Sequence, residues 1–157
     1  NMSTRSNTFV IHRQEAEIYK DGFAVNPKEI RDKSYVNMYL HHDGYIDYMG
    51  VELAQWVKHM QDDQGFTNFA DPSRIAPHLV KDFHYNSQYL YANDQELDTA
   101  YTYIIWCGKE DVWISQWDNH QDRCHFVGTV DRLIKNFKTE DLDYTDWNYK
   151  QNTNNKG

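Results

Sequence analysis

The feature that most constrains the fold is a change of hydrophobic period on either side of Asp43-Gly44. Residues 35–41 alternate, so that Val36, Met38 and Leu40 share one side, and a period of two is typical of a half-buried strand. Apolar residues then follow at helical spacing: Met49, Leu53, Trp56, Val57 and Met60. The segment therefore predicts a strand, a tight turn and an amphipathic helix.

The chemistry of the turn supports this reading. Gly44 can take a positive φ at no steric cost, so we expect it to carry the bend. Asp47 is a candidate N-cap for the helix. Gly50 lies in the first helical turn, where a missing side chain would let the helix approach the sheet closely.

Other segments supply the rest of the predicted elements. We expect strands at residues 8–12, 18–25, 99–107, 112–117 and 123–127. Helices are expected to start at Asp71-Pro72, again at Pro77, and after a Thr129 cap. These elements predict an α+β fold with a mostly antiparallel sheet and about three helices packed on one face, leaving the other face partly exposed. Residues 1–150 are expected to form a single domain and residues 151–157 a disordered tail.

The charge distribution disfavours direct binding of nucleic acid. The net charge is −8, and residues 41–157 contain nineteen acidic against ten basic side chains. Such a field repels a phosphate backbone unless a basic patch interrupts it, and no Lys/Arg-rich run is present. The sequence contains no long apolar stretch, so no membrane association is expected. The two cysteines, Cys107 and Cys124, are too few for a disulfide framework and indicate a cytosolic protein with reduced thiols.

The strand-turn-helix resembles a box found in small proteins encoded by phages and other mobile elements. The matching residues are Tyr39, His41, Asp43, Gly44, Tyr45 and Gly50. The chain departs from that pattern at Ile46, where proline is common, and at Tyr48, where glycine is common. The resemblance implies a mobile-element origin and a setting in the cytosol of a bacterial host. It implies no established activity.

The same box offers an alternative site with catalytic chemistry. Tyr39, His41, Asp43 and Tyr45 could serve a metal- or nucleotide-dependent hydrolase. In a strand, however, His41 and His42 would point to opposite faces, so these residues are better explained as hydrogen-bonding groups that fix the turn. His120, Cys124 and His125 are ligand types without a recognisable zinc spacing. We therefore expect no catalytic residue, no metal and no cofactor.

Two aromatic regions remain as candidate binding surfaces. The first is a set of strand residues: Tyr101, Tyr103, Trp106, Trp113 and Trp117. Their acidic neighbours favour a protein surface or a core over a base-stacking platform. The second region, which we call the acidic-aromatic tail, combines carboxylates with aromatic rings: Glu140, Asp141, Asp143, Tyr144, Asp146 and Trp147. It is either a solvated tail with one or two docked aromatics or a recognition segment.

As a recognition segment, the acidic-aromatic tail would engage a basic surface and could imitate a phosphate backbone. The leading hypothesis is thus a non-enzymatic phage-type inhibitor of a host nucleic-acid-processing or defence protein, comparable to an anti-CRISPR protein. A structural role in a virion stays open, as does the oligomeric state.

Overall fold

The computed structural model of the protein describes residues 4–18, 25–62 and 69–147. These residues form one six-stranded sheet, in the order β3-β2-β1-β4-β5-β6. Its strands are β1 (Ser6–His12), β2 (Asn37–Leu40), β3 (Gln88–Leu90), β4 (Tyr101–Cys107), β5 (Trp113–Asp118) and β6 (Arg123–Thr129). The α+β class is confirmed.

Helices of different lengths connect these strands. In the described parts of the chain they are α1 (Gln14–Ile18), α2 (Pro27–Ile30), α3 (Val51–Asp62), α4 (Pro72–Asp82) and α5 (Val130–Phe137). A 3₁₀ turn at Arg31–Lys33 extends α2, and a π-helical turn at Ile46–Gly50 precedes α3. Thr129 caps α5 as expected, because its side chain accepts a hydrogen bond from the Arg132 amide.

The sheet is mixed, which corrects the expectation of a mostly antiparallel one. β1 and β4 run parallel, from Ser6 opposite Tyr101 to His12 opposite Cys107. The other neighbouring pairs are antiparallel. The parallel pair lies at the centre of the sheet, where both faces are covered, and parallel strands need such cover.

Helices lie on both faces of the sheet, so the prediction of about three helices on one face is also wrong. The larger core cluster packs α3, α4 and α5 against residues such as Val10 and Ile105. A smaller cluster covers Phe9, Ile11 and Trp106 on the opposite face with residues of α1 and α2. The side chains of β1 and β4 on this second face are apolar, so leaving the face exposed to water would destabilise the fold.

The turn before α3 differs from its predicted conformation. Asp43, not Gly44, has the positive φ, at 61°. Gly44 is required for space, because a Cβ there would lie 2.8 Å from the carbonyl oxygen of Thr4. The helical segment begins with the π-helical turn, whose N-cap is Tyr45 and lacks a side-chain cap. Asp47 is therefore not the N-cap.

Three further expectations need correction or fall outside the described residues. The predicted strand at 18–25 is wrong at its start, since Ile18 ends α1, and residues 19–24 are not described. Pro77 does not begin a new helix but lies inside α4. The predicted disordered tail, residues 151–157, lies outside the described residues. No helix within the described ranges has the length and apolar character needed to cross a membrane.

Candidate interaction surface

The acidic-aromatic tail folds back onto the π-helical turn at Ile46–Gly50. The Tyr144 hydroxyl donates a hydrogen bond of 2.6 Å to the Asp47 carbonyl oxygen. The Tyr48 hydroxyl donates one of 3.2 Å to the carbonyl oxygen of Asp143. The rings of Tyr48 and Tyr144 stack with centroids 5.8 Å apart. Two segments nearly a hundred residues apart in sequence thus share one surface.

A buried carboxylate anchors this tail. Glu52 is fully buried at the start of α3, and its side chain accepts a 2.6 Å hydrogen bond from the Thr145 hydroxyl. The Thr145 amide lies 3.2 Å from each carboxylate oxygen. Two residues further on, Trp147 is 5% exposed and its ring packs against His59 and Phe83. The tail is therefore held at two points.

Six residues from the turn, the tail and β4 form what we call the acidic-tyrosine surface: Tyr45, Asp47, Tyr48, Tyr101, Asp143 and Tyr144. Tyr45 and Tyr101 extend it, with ring centroids 6.0 Å apart. Tyr45, Asp47 and Asp143 are exposed, and the other three tyrosines are half-buried. The surface offers carboxylates beside phenol rings, a combination suited to charged and planar partner groups.

The titration of the tyrosines reflects the negative charge of this surface. Burial raises the pKa of Tyr48, and the nearby carboxylates of Glu52, Asp43 and Asp143 raise it further. Burial also raises the pKa of Tyr101, with Asp118 the next largest cause. A carboxylate disfavours ionisation of a neighbouring phenol because both would be anions.

The carboxylates predicted as a binding surface reach solvent. Glu140, Asp141, Asp143 and Asp146 are exposed, whereas Tyr144 is half-buried and Trp147 is buried. The ion pairs between described residues join Arg5 to Asp98, Arg13 to Asp111, Arg31 to Glu96 and Lys58 to Asp131. In that set, none involves Asp47, Asp141 or Asp143. The aromatics thus fix the tail while its carboxylates face outward.

The residues of the alternative site do not converge. Tyr39 and His41 share a 2.8 Å hydrogen bond between the hydroxyl and Nδ1, and Tyr39 packs edge-on against Tyr89 and Tyr91. Tyr45 instead contacts Tyr101, on the acidic-tyrosine surface. Within the described residues, no group of three His, Cys, Asp or Glu side chains could hold a metal ion.

The expectation that His41 and His42 point to opposite faces is wrong. β2 ends at Leu40, so strand alternation does not apply to either histidine. Their rings contact each other edge-on, with centroids 4.7 Å apart.

Comparison with models of protein families gave no match, and no curated protein or solved structure showed significant similarity to the chain. The likeness to phage proteins therefore stays a prediction.

Sequence reasoning overlooked part of the acidic-tyrosine surface. The local pattern indicates a helix cap at Asp47 and gives Tyr48 no role beyond its departure from the phage-type pattern. The sequence does contain a signal for this surface, since three of the four residues 45–48 are Tyr or Asp. These side chains do not belong to the apolar stripe of the expected helix, which indicates that they face solvent or a partner.

Proposed function

We infer that this chain is a non-enzymatic binding protein whose acidic-tyrosine surface engages a basic surface on a partner. The resemblance of its strand-turn-helix to phage-encoded proteins suggests the class of partner. On this proposal the chain inhibits a nucleic-acid-processing or defence protein of the bacterial host, such as a CRISPR nuclease. The acidic surface would occupy a groove that otherwise holds a phosphate backbone.

The observation that carries the proposal is the merging of two acidic segments into one surface. Asp47 on the π-helical turn and Asp143 on the tail are joined through Tyr48 and Tyr144. The tail is held in place by buried contacts, so its carboxylates are presented at fixed positions. Preorganised groups lose less conformational entropy on binding than a loose tail would.

Among the described residues, Lys138 contacts the acidic-tyrosine surface, 5.9 Å above the Tyr144 ring. Because the carboxylates dominate this surface, the partner must supply cations. Arginine is the best complement, since its guanidinium group forms bidentate bonds with carboxylates and stacks on aromatic rings. A groove that binds nucleic acid is rich in such side chains.

The proposal is tested by charge reversal after a pull-down from host lysate has identified the partner. The test variant reverses two carboxylates of the surface, Asp47→Lys and Asp143→Lys. The control variant, Asp94→Lys with Glu110→Lys, makes the same change in net charge at exposed loop positions outside the surface. We expect the test variant to lower affinity by about tenfold or more, since close interfacial charges contribute 1.4 kcal/mol or more.

Reversals at Asp141 and Asp146 extend the test along the tail and should also weaken binding. The affinity of the unmodified chain should fall steeply as salt rises from about 50 to 300 mM, because salt screens exposed charges. The proposal fails if the test and control variants bind equally well, or if binding does not change with salt.

One observation favours the alternative of a hydrolase near His41 and Asp43. The contact between the His41 and His42 rings places two imidazoles together beside the turn, and such pairs can bind a metal or move a proton. Metal analysis and native mass spectrometry of the purified protein test this reading. An apo protein whose His41→Ala variant retains full biological effect would exclude it.

A further inference from the structure

A cavity of about 230 Å³ lies on the face of the sheet opposite α3, α4 and α5. Its floor is formed by alternate residues of three strands: Asn7, Phe9, Thr102 and Trp117. The walls come from the start of α2, from the loop at residues 95–99 and from the turn between β5 and β6. Pockets for drug-sized ligands are about 300–1,000 Å³, so this cavity fits a compound smaller than a typical drug.

The walls are tied to the sheet and to each other. Arg31 on the α2 side pairs with Glu96 at 3.2 Å. The Thr99 hydroxyl donates a 2.9 Å hydrogen bond to the side-chain oxygen of Asn7 in β1. The Asn119 amide of the β5–β6 turn donates to the carbonyl oxygen of Thr99 at 3.1 Å. The cavity is therefore preformed, and a ligand would not have to order it.

The floor contains two aromatic rings that are almost wholly buried: Phe9 is 3% exposed and Trp117 is 9% exposed. The polar floor residues satisfy each other, since the Thr102 hydroxyl donates a 2.8 Å hydrogen bond to Asn7. A flat ring placed over the small exposed part of Trp117 would bury apolar area without breaking a hydrogen bond.

The rim supplies hydrogen-bonding groups that are not used elsewhere. Among the described residues, the side chains of Lys28, Gln95, His120 and Asp122 line the cavity and take part in no other hydrogen bond or ion pair. They provide both donors and acceptors. A ligand that matches them must also carry both kinds of group on its edge.

The charges around the rim nearly cancel, which argues against an anionic ligand. Lys28 and Arg31 are positive, whereas Glu96, Asp98 and Asp122 are negative. A site for a phosphate group normally shows a clear excess of positive charge or a cluster of backbone amides. The lining side chains of this cavity show no such excess of positive charge, so its ligand should be uncharged.

We propose that this cavity binds an uncharged nitrogen heterocycle of the nucleobase type, as the free base or its nucleoside. Bases stack on aromatic side chains and present donors and acceptors along their edges, and carboxamides such as Gln95 form paired hydrogen bonds with them. The site lies on the opposite side of the sheet from the helix layer that carries the acidic-tyrosine surface. It does not depend on the function proposed above.

Saturation-transfer NMR on the full chain tests the proposal. The probes are adenosine, guanosine, cytidine and uridine, with adenosine 5′-monophosphate and glucose as comparisons. At least one nucleoside should bind with a Kd below about 1 mM. Each nucleoside that binds should do so more tightly than glucose, and adenosine, if it is among them, more tightly than its monophosphate.

Two variants locate the binding. Gln95→Ala with His120→Ala removes two rim groups, both exposed, and should weaken the nucleoside by about fivefold or more, the loss expected for a pair of hydrogen bonds. The control Asn136→Ala changes an exposed position on α5 and should leave affinity unchanged. The proposal is overturned if no nucleoside binds, if the monophosphate or glucose binds more tightly, or if the rim variant binds like the control.

Discussion

Replacing Thr145 with valine should destabilise the protein by about 2 kcal/mol. The substitution keeps the shape and the backbone amide but removes the hydroxyl that donates at 2.6 Å to the fully buried Glu52 carboxylate. A hydrogen bond to a charged group contributes about 1.5–3 kcal/mol. The loss should fall near the middle of that range, because the Thr145 amide continues to donate to the same carboxylate.

Urea unfolding followed by circular dichroism measures the effect. With a slope of about 2 kcal/mol per M, typical of a domain of this size, the midpoint should fall by about 1 M. The melting temperature should fall by roughly 4–8 °C. Thr145→Ser retains the hydroxyl and should recover most of the stability.

The control is Thr139→Val, a threonine on the same tail. Its hydroxyl accepts only a 3.3 Å hydrogen bond from the Asp141 amide at an exposed site, so its loss should cost less than about 0.5 kcal/mol. If Thr145→Val were as stable as Thr139→Val, the buried carboxylate would not be what holds the tail.

Three further predictions concern the turn, the thiols and alkaline pH. Gly44→Ala should cost about 1–3 kcal/mol in chemical unfolding, since its Cβ would press on the Thr4 carbonyl oxygen; a variant of full stability would disprove the close contact. Cys107 should resist a thiol reagent in the folded protein because burial raises its pKa, and Cys124, which is half-buried, should react slowly; rapid titration of both thiols without denaturant would contradict this. Burial raises the pKa of Tyr85 to about 12, so the folded state retains this proton longer than the unfolded state. Its contribution to stability is complete below about pH 10 and is lost as pH rises towards 12, and Tyr85→Phe should flatten that decline in pH-dependent melting curves.

Elements with a strong local pattern could be predicted from the sequence. Leu53, Trp56, Val57 and Met60 of the predicted stripe lie on the buried face of α3, and Met49 is buried in the π-helical turn before it. The Thr129 cap of α5 follows from a side chain three residues from the amide it binds. The strands expected at residues 99–107 and 112–117 also form, as the antiparallel neighbours β4 and β5. In each case the decisive contacts lie within one element or across one turn, so the nearby residues determine them.

Pairings between distant segments could not be predicted in this way. Nothing in the alternation of residues 6–12 indicates that β1 pairs parallel with β4, more than ninety residues later in the chain. The hydrogen bond from Tyr144 to the Asp47 carbonyl oxygen also joins segments that are distant in sequence. Such contacts depend on the packing of the whole core, and a short stretch of sequence does not include the distant residues involved.

The sequence alone determined that the chain folds as α+β, that the segment around Asp43-Gly44 is a strand followed by a turn and a helix, and that the net charge is −8. Hydrophobic period and net charge are properties of the chain itself, so they can be read without coordinates. Only the tertiary structure showed that Asp43 has the positive φ. It also showed that Gly44 packs against the Thr4 carbonyl oxygen. The acidic-tyrosine surface, which joins the tail to the π-helical turn, could likewise be seen only in the structure. Its residues are far apart in sequence and become neighbours only when the core has packed.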